Sequence, residues 1–272
     1  MSEVVLTGAP YAVTGDADGT VWATILTRPG LARVRHGEVI YETLPDRPML
    51  LTLAPDGALW YTAGDRLGRR DPAGEHTVTA LPAGSAPYGI AAAPDGTIWF
   101  TAPGRNQLGC LGDDLVLLDL PVPDARAAML TVAPDGTVWA ALNGAGALAR
   151  VRDGSVEVVE LPDGSAPVGV AASASGVWFA DIAGGRVGRV DPSGHRHETR
   201  FDATSRPHAV AADGSGGCWV TLWGSGELAR IAADGAVTIR ALPGTEPHGL
   251  WVSPTTVWVA MESGSLVAIP TD

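Results

Sequence analysis

Short apolar runs separated by polar turns recur along the whole chain. A typical run is Thr97-Ile98-Trp99-Phe100-Thr101, which directly follows the turn Pro94-Asp95-Gly96. Brief runs rich in Val, Ile, Thr and Trp, bounded by Gly, Pro and Asp, are typical of β-strands. No stretch has the period of an amphipathic helix, so the pattern predicts an all-β protein.

The runs group into repeated units, each marked by one tryptophan that follows a turn. Successive copies are separated by 38, 39, 40, 39, 41 and 39 residues. The marked positions are Trp22, Trp60, Trp99, Trp139, Trp178, Trp219 and Trp258. Four short antiparallel strands in about forty residues are typical of one propeller blade. We therefore predict a single seven-bladed β-propeller domain over residues 1–272.

The two ends of the chain complement each other. After Trp258 the sequence supplies a third strand, Ser265-Leu266-Val267-Ala268-Ile269, and then stops without a fourth. Near the start, Glu3-Val4-Val5-Leu6 precedes Pro10 at the spacing of a fourth strand. We expect residues 3–7 to form the outer strand of the last blade, which closes the ring and removes an exposed sheet edge.

Composition narrows the classes of partner. The formal net charge is −12 and all 18 basic residues are arginines. An acidic surface repels phosphate backbones and anionic lipids, so neither a nucleic acid nor a membrane is an expected partner. The N-terminus lacks the basic and apolar regions of a signal peptide. Cys110 and Cys218 occupy non-equivalent strand positions, which favours free thiols in a reducing, cytoplasmic compartment. We separately expect a monomer.

Alignment of the units reveals residues that break the repeat. Each unit begins with a proline, except the fourth, where Ala127 replaces it. The next position carries, in order, Tyr11, Met49, Tyr88, Ala128, Val168, His208 and His248. The position four residues after the tryptophan carries Leu26, Gly64, Pro103, Asn143, Ile182, Trp223 and Glu262. Imidazoles occur only in the last two units at the first position, and a carboxylate only in the last unit at the second. Glu246 lies two residues before His248, so in an extended segment the two side chains would point to the same side. These positions map to the propeller face with the mouth of the central channel.

Other polar residues have structural interpretations. His36, His76, His195 and His197 fall near hairpins on the opposite face and are expected to be exposed. Asp56, Asp95 and Asp135 lie in Pro-Asp-Gly turns, where aspartate is favoured for its bonding to nearby backbone amides. Candidate chemistry is thus confined to the last two units.

Two carboxylates beside an imidazole suit a divalent cation and a base. Mg²⁺ prefers oxygen ligands and is commonly held by one or two carboxylates together with substrate and water. It can polarise a carbonyl and thereby acidify the adjacent Cα–H. A neutral histidine can remove that proton near pH 7. With a leaving group one carbon further out, elimination would follow.

Besides the seven repeats, three features carry a resemblance to a known family: Arg206-Pro207-His208, Glu246-Pro247-His248-Gly249, and the spacing of Trp258 and Glu262. With these features the chain resembles the virginiamycin B lyase (streptogramin B lyase) family over essentially its whole length. The resemblance implies Mg²⁺-dependent elimination that linearises cyclic type B streptogramin depsipeptides and confers antibiotic resistance. It implies that Glu246 and Glu262 bind Mg²⁺ and that His248 is the general base. It further implies substrate contacts for His208, Trp223 and Tyr11.

Two alternatives remain open from the residues. A propeller lactone or ester hydrolase would use metal-bound water to attack the carbonyl, which adds one water to the product. A non-catalytic propeller that binds a ligand or a protein would show no turnover. The His248 and Glu262 pair favours an enzyme.

Overall fold

The computed structural model describes residues 1–271, and its regular structure is almost entirely β. No α-helix occurs among these residues, and one 3₁₀ turn spans Pro103–Arg105. The strands, numbered β1 to β28 in chain order, are Ser2–Val5, Pro10–Gly15, Val21–Ile25, Gly30–Arg35, Glu38–Thr43, Pro48–Leu53, Leu59–Ala63, Arg66–Arg70, His76–Ala80, Ile90–Ala92, Ile98–Ala102, Gln107–Leu111, Leu115–Asp119, Ala127–Val132, Val138–Leu142, Ala147–Arg152, Ser155–Glu160, Pro167–Ser173, Gly176–Asp181, Arg186–Val190, Arg196–Arg200, Pro207–Ala212, Cys218–Leu222, Glu227–Ile231, Val237–Ala241, Pro247–Val252, Thr256–Met261 and Ser265–Pro270.

The strands form seven four-stranded antiparallel sheets, which confirms the predicted seven-bladed propeller. The first six blades each use four consecutive strands, from β2–β5 to β22–β25. The inner strand of each blade packs against the inner strand of the next, and β26 of the last blade packs against β2 of the first. The ring is therefore closed around a central channel.

The last blade has the order β1-β28-β27-β26, so the N-terminal strand completes it as expected. Its pairing runs from Ser2 opposite Ala268 to Val5 opposite Ser265, two residues short of the predicted end at residue 7. The Leu6 amide still donates to the Gly264 carbonyl at 2.8 Å, but the Leu6 side chain is buried in the core. The chain leaves the sheet here because it turns inward.

Aromatic residues after the marker tryptophan pack against glycines of the neighbouring strand. Phe100 lies opposite Gly109, and Phe179 lies opposite Gly188. A β-carbon on Gly109 would come within 2.0 Å of the Phe100 ring. Glycine in the third strand thus makes room for a large ring in the second, which maintains dense packing.

One ion pair lies inside the fifth blade. Arg186 Nε donates to Asp181 Oδ2 at 2.8 Å, and the two residues are 4 % and 0 % exposed. Asp181 also accepts amide hydrogens from Ala166 at 2.8 Å and Gly184 at 2.9 Å. Burial alone would raise the pKa of Asp181, but these amides and the guanidinium together hold it below its usual value. The carboxylate is therefore ionised and fully bonded.

Several sequence predictions about non-catalytic residues are confirmed. Asp56, Asp95 and Asp135 each accept a backbone amide two residues ahead in their turns. The four histidines predicted to be exposed are exposed, and both cysteines are free: His36, His76, His195 and His197, and Cys110 and Cys218. Among residues 1–271, no helix is long and apolar enough to cross a membrane.

Candidate active site

Two histidines face each other at one end of the channel, in the sixth and seventh blades. His208 is the second residue of β22 and His248 is the second residue of β26. The register of each strand shifts between its proline and the residue three positions on, so each histidine lies in a bulge. A bulge redirects side chains that would otherwise alternate regularly, which aims both imidazoles at the channel.

The two imidazoles are close and almost completely buried. Their ring centroids are 4.8 Å apart with an interplanar angle of 87°, and His208 and His248 are 7 % and 8 % exposed. The Tyr11 ring, from the first blade, lies 4.3 Å from the His248 ring. Trp223, from the loop after β23, lies 6.2 Å from it. The ring closure thus brings blades six, seven and one to a single site.

Both predicted carboxylates lie beside His248. Glu262 Oε2 is 2.6 Å from His248 Nε2, and the Glu262 amide donates to the Glu246 carbonyl at 3.1 Å. Glu246 is exposed, and its φ of 57° is in the left-handed region. We call the six residues Tyr11, His208, Trp223, Glu246, His248 and Glu262 the channel-mouth site. All six residues predicted from the sequence are therefore brought together.

The bond to Glu262 assigns the tautomer of His248. An ionised carboxylate only accepts hydrogen bonds, so Nε2 carries the proton and Nδ1 holds a free lone pair. His248 Nδ1 is buried and has no hydrogen-bond partner among the described residues. This atom is therefore the one able to accept a proton.

Burial keeps both imidazoles neutral, because it lowers their pKa values. Burial lowers the pKa of His248, and this outweighs the opposing hydrogen bond and charge of Glu262 and the charge of Glu246. Burial, reinforced by the proximity of His248, lowers the pKa of His208 to about 3. A neutral His248 at pH 7 is the protonation state that a general base requires.

Three nitrogen atoms at the channel mouth lack partners. Of the five buried side-chain polar atoms without a hydrogen bond among the described residues, three are His208 Nδ1, His248 Nδ1 and Trp223 Nε1. Buried polar groups in native proteins are normally paired, and unpaired ones call for a functional explanation. Their convergence on one site indicates a polar ligand.

A cleft opens beside the channel-mouth site, next to Trp223 and Glu246; neither histidine lines it. It has a volume of ≈ 650 Å³ and is lined by Arg206, Trp223, Glu246 and the glycine-rich loops of blades six and seven. The Arg206 guanidinium lies 5.5 Å from the Trp223 ring centroid, which fixes that ring by a cation–π contact. The cleft is within the size range of sites for drug-sized ligands.

Glu246 and Glu262 are the residues expected to bind Mg²⁺. Within residues 1–271 no group of three or more His, Cys, Asp or Glu side chains is arranged to hold a metal. A dedicated protein cage is therefore not formed. The main chains of Glu246 and Glu262 are joined by a hydrogen bond, so the site supplies two carboxylate side chains, a ligand type and number that Mg²⁺ commonly uses together with water and substrate.

Sequence reasoning missed two side chains that support the site. Tyr88 Oη lies 2.6 Å from Tyr11 Oη, although the residues are 77 positions apart. Burial raises the pKa of both phenols, so both are neutral. Tyr88 occupies the same repeat position as Tyr11, His208 and His248, and that shared position was the available signal. The second is Arg206, directly before Pro207, which the sequence motif includes but to which the sequence assigned no role.

The buried neutral His208 should make stability depend on pH. Between its native pKa of about 3 and its ordinary value of 6.5, the unfolded chain binds a proton that the native protein does not. The unfolding free energy should therefore fall with decreasing pH, by about 2 kcal/mol from pH 6.5 to pH 5 for this residue. Urea unfolding of wild type and His208→Gln at both pH values checks this.

In the His208→Gln variant the loss on acidification should shrink by that amount. The exposed His195→Gln variant should retain the wild-type loss. An unchanged loss in His208→Gln would contradict the assignment of His208 as neutral and buried.

The chain is similar to known proteins over nearly its whole length. A model of the virginiamycin B lyase family matches residues 2–269. Virginiamycin B lyase of Nocardia farcinica (strain IFM 10152) is 40 % identical over 271 residues, covering 96 % of this chain and 95 % of the relative.

Solved structures of Staphylococcus aureus virginiamycin B lyase superpose closely. The selenomethionine-substituted enzyme has a TM-score of 0.93 and 28 % identity, covering 100 % of this chain and 99 % of that one. A catalytically inactive His-to-Ala variant with quinupristin gives the same TM-score, identity and coverage. The seven-bladed fold and these matches together show that this chain is a lyase that belongs to the virginiamycin B lyase family.

Proposed function

We propose that this lyase linearises cyclic type B streptogramins by eliminative cleavage of their ester bond and thereby confers resistance to them. The observation that carries the proposal is the free lone pair of His248 Nδ1, buried in a neutral imidazole whose ring lies 6.2 Å from that of Trp223, a residue that lines the cleft. A relative of closely similar fold was solved with quinupristin, which supports a cyclic depsipeptide as the substrate class.

In this proposal His248 Nδ1 takes the Cα proton of the esterified threonine. The electrons of that C–H bond form a Cα–Cβ double bond, and the Cβ–O bond breaks. The ester oxygen leaves as a carboxylate, and the threonine becomes dehydrobutyrine. Glu262 accepts the Nε2–H bond at 2.6 Å, which stabilises the imidazolium that forms.

The surrounding side chains bind and orient the substrate. Tyr11 and Trp223 form aromatic walls on two sides of His248, which suits a ligand rich in rings. His208 Nδ1 and Trp223 Nε1 offer unpaired polar atoms to substrate amides or carbonyls. Burial of the imidazoles excludes water from the reacting atoms, which favours elimination over hydrolysis.

Glu246 and Glu262 would hold Mg²⁺ at the edge of the cleft. When bound there, the cation would polarise the carbonyl next to the reacting Cα and so acidify its proton. Glu246 is the cleaner position for testing this role, because it makes no hydrogen bond to His248 or to any other described side chain.

Removal of the metal should abolish turnover. Protein treated with EDTA and dialysed should not consume quinupristin, and added Mg²⁺ should restore consumption. Glu246→Gln should require at least about tenfold more Mg²⁺ for half-maximal activity, because one ligand loses its charge. Substrate loss is followed by chromatography over a range of Mg²⁺ concentrations.

Glu75→Gln is the matched control, since Glu75 is exposed in a turn before β9 and away from the channel mouth. It should show the wild-type Mg²⁺ requirement. Full turnover in metal-free buffer, or an unchanged requirement in Glu246→Gln, would reject the carboxylate–metal assignment.

A further inference from the structure

A single hydroxyl joins the main chains that carry the two buried histidines. Thr221, in β23, is fully buried, and its Oγ1 accepts the Ala209 amide hydrogen at 3.0 Å. The same hydroxyl donates to the His248 carbonyl at 2.9 Å. Ala209 directly follows His208, so the hydroxyl bridges the bulge of β22 and the bulge of β26.

The equivalent position in other blades shows that the hydroxyl is not demanded by the fold. It is the second residue after each marker tryptophan, and it carries, in order, Thr24, Thr62, Thr101, Ala141, Ala180, Thr221 and Ala260. Each of the other threonines bridges its own blade to the next in the same way. Three seams between blades do without it.

On its other side, the His248 main chain is wedged against the first blade. A β-carbon on Gly249 would lie 2.8 Å from Ala12 Cα and 2.9 Å from the Tyr11 carbonyl oxygen. The segment therefore has no room to move toward Tyr11, and its freedom is toward blade six. Thr221 is the side chain that occupies that direction.

We propose that Thr221 is a positioning residue, whose hydroxyl sets the spacing between the imidazoles of His208 and His248 and so places His248 Nδ1 for proton removal. The inference rests on the proposed function. Thr221 does not touch substrate; it acts on the backbone of the base. Sub-ångström placement matters here, because a misplacement of about 1 Å can lower a rate by about 10²-fold.

Three variants separate position from mere stability. Thr221→Val keeps the shape and removes the hydroxyl, Thr221→Ser keeps the hydroxyl, and Thr101→Val removes the matching hydroxyl between blades three and four. Thr221→Val should lower kcat about 10- to 100-fold with little change in KM. Thr221→Ser should recover most of the loss. Thr101→Val should show a similar fall in melting temperature with wild-type kcat.

Should Thr221→Val fail to fold, Thr221→Ala replaces it, because alanine occupies the same position in three blades. Wild-type kcat in the hydroxyl-free variant, or equal losses in the Thr221 and Thr101 variants, would overturn the proposal.

A second readout does not depend on turnover. At one fixed pH, the ring-proton NMR resonances of His208 and His248 report their placement against the nearby Tyr11 and Trp223 rings. Thr221→Val should move both sets of resonances, and Thr101→Val should leave them in place. If Thr221→Val moves the resonances but the wild-type protein does not turn over streptogramin, only the proposed function is rejected. If Thr221→Val leaves the resonances in place, the positioning role is rejected.

Discussion

His248→Ala is expected to lower kcat for streptogramin turnover by about 10²- to 10⁴-fold, the contribution of a positioned general base. The variant removes the only atom at the channel mouth that combines a free lone pair with a carboxylate-bound partner nitrogen. It should still fold, because His248 lies at the mouth of the channel and outside the paired ladder of its blade. Initial rates and circular dichroism measure the two effects separately.

His195→Ala is the matched control, since its side chain is 80 % exposed on the opposite face. It should retain wild-type kcat. Turnover by His248→Ala within a fewfold of wild type would remove His248 from the mechanism.

Asp181→Ala is expected to lower the free energy of unfolding by about 3–5 kcal/mol, since it leaves a buried charge without its partner. Arg186 is 4 % exposed, and its neighbour Glu198 at 3.6 Å cannot replace the bonded oxygen of Asp181. The amides of Ala166 and Gly184 would also lose their acceptor. Urea unfolding monitored by tryptophan fluorescence gives the difference.

An exposed ion pair provides the comparison. Glu157, paired with Arg150, has a side chain that is 58 % exposed. Glu157→Ala should cost about 0–1 kcal/mol, because such pairs are screened by solvent. A loss in Asp181→Ala as small as this would mean that the buried pair does not stabilise the fifth blade.

The architecture was predictable because the repeat is explicit in the sequence. Once the tryptophans set the register, each position of a blade could be compared across seven copies. His208, His248 and Glu262 then emerged as departures from the pattern. The same register correctly placed the N-terminal strand beside β28, although not its end at Val5.

Contacts between blades were not predictable from local pattern. The Tyr11–Tyr88 bond joins blades one and three, and no short-range signal selects that partner. The bulges that aim His208 and His248 depend on how β22 and β26 pair with their neighbours, which the alternation of side chains does not encode. Neutral imidazoles follow from burial, which only the closed ring creates.

Asp181 and Arg186 illustrate a second limit. In the sequence both look like surface residues that flank a glycine turn, since charged side chains are mostly exposed. Their burial follows from the packing of the loop after β19 against Ser165, which accepts a bond from Arg186 at 3.0 Å. Local pattern cannot reveal a pair whose environment is assembled from a neighbouring loop.

Elimination and hydrolysis give linear products of different mass, so the product mass tests the proposed reaction most directly. Wild-type protein, Mg²⁺ and quinupristin are incubated in ¹⁸O-enriched water, and the linear product is weighed by mass spectrometry. Elimination predicts a product with the same mass as the cyclic substrate and no ¹⁸O. A product heavier by one water and labelled with ¹⁸O would contradict it and establish hydrolysis instead.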